Sequence, residues 1–235
     1  MATATLTPIA PKAIEYPTRD GKPMVETDKH REIAYHVIQA LKSYFAHRDD
    51  VYVSSNNFVF WQEGDPKARI SPDTYVVFGP SGELRDSYKA WEEGGHLPAV
   101  VFEFTSRKTQ AEDVHTKLPL YERTLRTPEY FLFDPRGDYL RPRLQGYRLV
   151  EGHYVRLKLV NDRLHSEQLG LDLVQEGERL RLFDPATGRF LMTAQEALQF
   201  ADEERTARLA AEAENARLRV EVEALRAKSP GGRGG

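Results

Sequence analysis

Apolar residues recur at three- and four-residue steps from Asp28 onward. Ile33, Ala34, Val37, Ile38, Leu41, Tyr44 and Phe45 share one face, which predicts an amphipathic helix to about His47, capped by Thr27 or Asp28. The period then shortens. VYVSSNNFVFWQ at 51–62 and DTYVVFG at 73–79 read as two strands separated by the turn-forming run EGDPKARISP, and a polar loop over roughly 80–97 follows. PAVVFEFT at 98–105 is continuously apolar until Glu103, as a strand buried on both faces requires. It leads into a helix from about Thr109 to Leu125 and another buried strand, PEYFLFDP, at 128–135. Strand, helix and strand in that order make a βαβ unit with a right-handed crossover, so the expected fold is α/β, a mixed sheet flanked by helices. Short β-like runs alternating with turns over 139–192 predict additional hairpins.

The segment 194–228 is rich in Ala, Glu, Arg and Leu. Ala211, Asn215, Leu218, Val222 and Leu225 alternate four- and three-residue steps, a d-a-d-a-d seam that predicts a long helix joining a second copy in a coiled-coil homodimer; a solvated single helix is the alternative. The expected organisation is a flexible lead-in over 1–24, one domain over 25–192, a helical tail over 193–228 and a disordered end, SPGGRGG.

Composition narrows the chemistry. A chain of 235 residues, 40% hydrophobic, can bury one sizeable core. The absence of cysteine excludes a disulfide framework, a thiolate zinc site and a thiol nucleophile, and fits a reducing compartment. With neither a secretory signal pattern nor a stretch near the ~20 apolar residues of a membrane span, the expectation is a soluble cytoplasmic protein. A net charge of −3 argues against a generally cationic nucleic-acid binder, but a carboxylate cluster built for a divalent cation is acidic until the cation arrives.

Such a cluster is visible. Pro72-Asp73 opens one strand, and Glu103 stands among Val100, Val101, Phe102 and Phe104 in another. An ionised glutamate there costs several kcal/mol to desolvate, by order of magnitude, unless a cation or a hydrogen-bond donor meets it. Arg107, Lys108 and Lys117 are the available cations, and Asp113 lies four residues before Lys117 on the same helical face, with Tyr121 one turn beyond. Taken singly, Pro72-Asp73 is an ordinary turn signal, and Asp113 with Lys117 an ordinary surface pair. One site would account for all of them. Two carboxylates and a lysine can hold Mg²⁺ or Mn²⁺ against a phosphodiester. No HExxH, GxGxxG, P-loop or GxSxG pattern competes.

The stretches SPDTYVVF and PAVVFEFTSRKTQAEDVHTKLPLYERTLRTPEYFLFDP resemble a large bacterial family of restriction-endonuclease-like proteins, the Uma-type family, within the PD-(D/E)XK nuclease superfamily. The resemblance runs over about 25–192. The residues that carry it are Pro72-Asp73, Glu103, Ser106, Thr109, Asp113, Lys117, Tyr121, Glu129-Tyr130 and Asp134-Pro135. It implies a restriction-endonuclease-like fold that hydrolyses DNA with Mg²⁺ or Mn²⁺ on Asp73 and Glu103. Lys117 is the catalytic lysine on this reading, Lys108 its fallback, and Ser106, Asp113 and Tyr121 are supports. In the superfamily the lysine sits two residues after the glutamate, a position held here by Thr105, so the lysine would have migrated to the helix. Glu26, His30 and Glu32 are lesser candidates from the first helix. The rival expectation is an inactive nucleic-acid-binding or interaction module on the same fold, assembled through its C-terminal helix.

Overall fold

The computed structural model describes residues 14–18, 28–106 and 109–228. After α1 (Asp28–Tyr44) come β1 (Val51–Ser54), β2 (Val59–Phe60), β3 (Arg69–Ile70), β4 (Thr74–Phe78), β5 (Tyr88–Lys89) and β6 (Val100–Phe104). A crossover helix, α2 (residues 110–125), leads to β7 (Glu129–Phe133), β8 (Leu144–Val150) and β9 (His153–Arg156). The chain continues through β10 (Arg163–Ser166), β11 (Leu171–Glu176), β12 (Arg179–Asp184), β13 (Arg189–Phe190) and α3 (Ala194–Lys228). The central sheet has the order β1-β4-β6-β7-β8-β9. Only β6 and β7 run parallel in it, as their helical crossover demands. This is a mixed α/β architecture, consistent with the restriction-endonuclease-like fold that the sequence resemblance implies.

The hairpins expected after residue 139 supply β8 and β9 to the central sheet and an antiparallel sheet, β10-β11-β12-β13. A third sheet, β3-β2-β5, differs from expectation. The run 51–62 is two strands, split where Asn56 adopts a left-handed φ of 54°. The loop over 80–97 contributes β5 and a 3₁₀ turn, Ala90–Glu93. Strands of two residues are too short to show alternation.

Strand β6 is buried on both sides. Val100, Phe102 and Phe104 join a core formed with Val37 and Leu41 of α1 and with Leu164, Leu171 and Leu173 of the second sheet. Val101 joins the opposite core with Tyr121, Leu125, Tyr130 and Leu132. Side-chain alternation turns Glu103 to this second face, toward α2.

Two buried carboxylates tie the fold together. Glu129 accepts hydrogen bonds from Arg148 Nε at 3.1 Å, from the Ser166 hydroxyl and from the N–H groups of Glu167 at 2.9 Å and Gln168 at 3.3 Å, which fastens β7 to the turn after β10. Asp134 accepts four backbone N–H groups, from Arg136, Gly137, Tyr139 and Leu140, at 2.9–3.1 Å.

By its internal contacts the chain divides into two units, 1–191 and 192–235. Within the second, α3 starts at a capping box: Glu196 N–H donates to Thr193 Oγ1 at 3.2 Å, and Thr193 N–H donates to the Glu196 carboxylate at 2.8 Å. Every side chain over 197–227 is exposed. Among the described residues no helix is long and apolar enough to cross a membrane.

Candidate active site

The site forms at the end of β6. Antiparallel register pairs Thr74 of β4 with Phe102, so Asp73, one residue before the ladder begins, comes level with Glu103. Its Oδ2 accepts the Phe104 N–H at 2.8 Å, which anchors the carboxylate at the strand edge.

The opposite wall is α2, which is unevenly wound. The α-helical turns Gln110–Glu112 and Leu118–Leu120 alternate with π-helical turns, Asp113–Lys117 and Tyr121–Leu125. Pro119 has no N–H to return to the carbonyl four residues back, a gap that a widened turn accommodates. In a helix wider than 3.6 residues per turn, residues four apart stay in line, and so Asp113, Lys117 and Tyr121 form one stripe. The start of the helix is held by Ser106 and Thr109. Ser106 N–H donates to Thr109 Oγ1 at 3.0 Å, and Thr109 N–H to Ser106 Oγ at 3.3 Å.

The stripe closes on Glu103, which is 1% exposed. Lys117 Nζ donates to Glu103 Oε2 at 2.7 Å, and the Tyr121 hydroxyl donates to Oε1 at 3.2 Å. The same ammonium lies 3.1 Å from Asp113 Oδ1, itself buried, yet out of line for a hydrogen bond, so that oxygen has an ion-pair partner and no aligned donor. Among the described residues, two carboxylates thus share one ammonium, and the charge of Asp73 adds to its field. Burial raises the Glu103 pKa well above the carboxylate range; Lys117 counters this, and the charges of Asp73 and Asp113 add to it. The Asp113 pKa is raised as well, again chiefly by burial. For Lys117, burial favours the neutral amine, but Glu103, Asp113 and Asp73 together outweigh it and hold the ammonium charged.

Thr105, where the superfamily places its lysine, is 1% exposed, and its hydroxyl is hydrogen-bonded to that of Tyr139. A second tyrosine, Tyr130, packs against Tyr121 at 5.0 Å between ring centroids and donates its hydroxyl to the Asp113 carbonyl at 3.1 Å. Tyr139 was not a candidate from sequence, and Tyr130 entered only as part of the Glu129-Tyr130 motif. Their partners lie 34 and 17 residues away, beyond any local pattern. Of the other candidates, Ser106 serves the helix start rather than the carboxylates, and Glu32 is exposed on α1. Lys108, with Arg107 and Glu26, lies outside the described residues, as does the side chain of His30.

No group of three or more His, Asp or Glu side chains among the described residues is arranged to hold a metal ion as it stands. The donors nevertheless suit a hard divalent cation. Mg²⁺ uses one or two carboxylates and completes its shell with water and substrate oxygens, and Asp73 and Glu103 come level on neighbouring strands.

The profile of the Uma2 family, described as "Putative restriction endonuclease", matches residues 8–178. Among solved structures the chain resembles a "putative nuclease belonging to DUF820" from Anabaena variabilis, with 14% identity and a TM-score of 0.44 over 61% of this chain and 75% of that one. No curated protein matches the chain at significance.

Proposed function

The chain belongs to the Uma2 family, and from that membership we propose that it is a cytoplasmic metal-dependent endonuclease that hydrolyses DNA phosphodiester bonds at Asp73, Glu103 and Lys117. The observation that carries this reading is the buried Glu103 carboxylate, which shares one ammonium with Asp113 and lies under the added charge of Asp73. Buried carboxylates with perturbed pKa values and a charge partner are characteristic of sites for cation and phosphate.

Asp73 and Glu103 are the residues that would hold Mg²⁺ or Mn²⁺. When bound, such an ion polarises a phosphoryl oxygen and favours hydroxide over water as nucleophile. Tyr121 fixes one Glu103 oxygen, Asp113 attracts the lysine, and Lys117 supplies a positive charge that can orient water or offset charge developing on the phosphate. The α3 seam through Ala211, Asn215, Leu218, Val222 and Leu225 is the proposed dimer contact.

Purified protein incubated with linear and supercoiled DNA tests the reading. Cleavage is expected with Mg²⁺ or Mn²⁺, none with EDTA, and a drop of at least about 100-fold in Asp73→Ala, Glu103→Ala and Lys117→Ala. The buried Thr105 hydroxyl, closed onto Tyr139 with no strand lysine beside it, favours a second reading, a non-cleaving DNA-binding module. DNA binding without cleavage under any metal would establish it.

A further inference from the structure

A site that needs a cation also has to be stable before the cation arrives. In this fold the ammonium of Lys117 already lies where positive charge is most needed, 2.7 Å from Glu103 Oε2 and 3.1 Å from Asp113 Oδ1. A metal coordinates a carboxylate oxygen at about 2.0–2.1 Å in the case of Mg²⁺, and an ammonium retained on the same oxygen would be a repelling neighbour within a few ångströms. The two cations compete for that oxygen.

The three side chains differ in which can move. The Glu103 and Asp113 side chains are 0% and 2% exposed, whereas the Lys117 side chain is 15% exposed and so has a route outward. Glu103 is further restrained by Tyr121 on its second oxygen. The contact of Lys117 with Asp113 is an ion pair without an aligned hydrogen bond, which attracts the ammonium without fixing its direction. Its long flexible stem can carry the charge away while the helix stays in place.

We propose that Lys117 is the resident counter-cation of this site, occupying the Glu103 oxygen that a divalent metal held by Asp73 and Glu103 takes, and that metal loading displaces its ammonium from Glu103. The inference rests on the metal-dependent reading above and adds regulation to it. In the metal-free protein the lysine is withheld, and a single exchange both fills the site and frees a positive charge for a phosphate.

Metal binding without DNA tests the exchange. In calorimetric titrations with Mn²⁺, Lys117→Met is expected to bind at least about ten-fold more tightly than wild type, because no ammonium has to be displaced. In wild type, amine acetylation read by mass spectrometry should increase at Lys117 when Mn²⁺ is saturating. Equal or weaker Mn²⁺ binding by Lys117→Met, or Lys117 labelling unchanged by saturating Mn²⁺, overturns the exchange and leaves the metal site standing. Absence of Mn²⁺ binding in wild type and variant alike overturns the metal-dependent reading and the exchange together. Should Lys117→Met fail to fold, the wild-type labelling decides alone.

Discussion

Glu129 and Glu103 are both buried glutamates on adjacent parallel strands, at opposite ends of the β6–β7 pair, yet their surroundings have opposite logic. Glu129 is saturated: a guanidinium, a hydroxyl and two backbone N–H groups cover its oxygens. Asp134, five residues on, is likewise covered by four backbone N–H groups. Glu103 has one ammonium, which it shares with Asp113, and one tyrosine hydroxyl, and burial pushes its pKa upward with Asp73 and Asp113 adding to it. A buried charge given its full set of donors is part of the scaffold. On the proposed reading, one left short among like charges is stored capacity for a cation.

The sharpest break of this comparison is the same substitution at both positions. Glu129→Gln presents an amide N–H₂ to N–H donors and weakens the partner of Arg148, and it is expected to lower unfolding free energy by about 3–5 kcal/mol in a denaturant titration. Glu103→Gln should have the opposite sign. Its carbonyl can still accept from Lys117 and its amide can donate to the Tyr121 oxygen, while the cost of a buried charge disappears. A gain of about 1 kcal/mol at pH 8 in EDTA is expected, with cleavage abolished. A loss comparable with that of Glu129→Gln would remove the distinction.

The smallest effect is in pH. Because Glu103 and Asp113 have raised pKa values in the fold, folding takes up protons. Their stabilisation is complete below the ordinary carboxylate range, about pH 4, and is lost as pH rises through the folded values. Metal-free wild type should therefore melt progressively lower as the pH climbs above that range, and Glu103→Gln should show a flatter profile; thermal melts in EDTA would reveal a parallel profile if the account is wrong.

Much of this contrast was legible in the sequence, and part of it was not. The three- and four-residue steps from Ile33 mark α1, the unbroken apolar run marks β6, and a carboxylate inside that run marks Glu103. The four-residue spacing of Asp113, Lys117 and Tyr121 indicated a shared helix face, although an α-helix alone would have let the stripe drift; the π turn over Asp113–Lys117 that keeps it in line is not declared by the spacing. Glu129 and Asp134 belong to the same family pattern as Glu103, and only long-range partners distinguish them: Ser166 and Arg148 for one, the following loop for the other. The Thr105–Tyr139 contact is hidden for the same reason, since it joins strand and loop across 34 residues. The short strands β2, β3 and β5 have too few residues to declare a period.

The central claim is that the donor-poor cluster, and not the donor-rich one, is a metal site. Unfolding free energy measured against Mn²⁺ concentration for wild type, Glu103→Gln and Glu129→Gln tests it directly. Wild type and Glu129→Gln should each gain about 2.7 kcal/mol at a hundred times the dissociation constant, and Glu103→Gln almost nothing. An equal gain in Glu103→Gln would contradict the account.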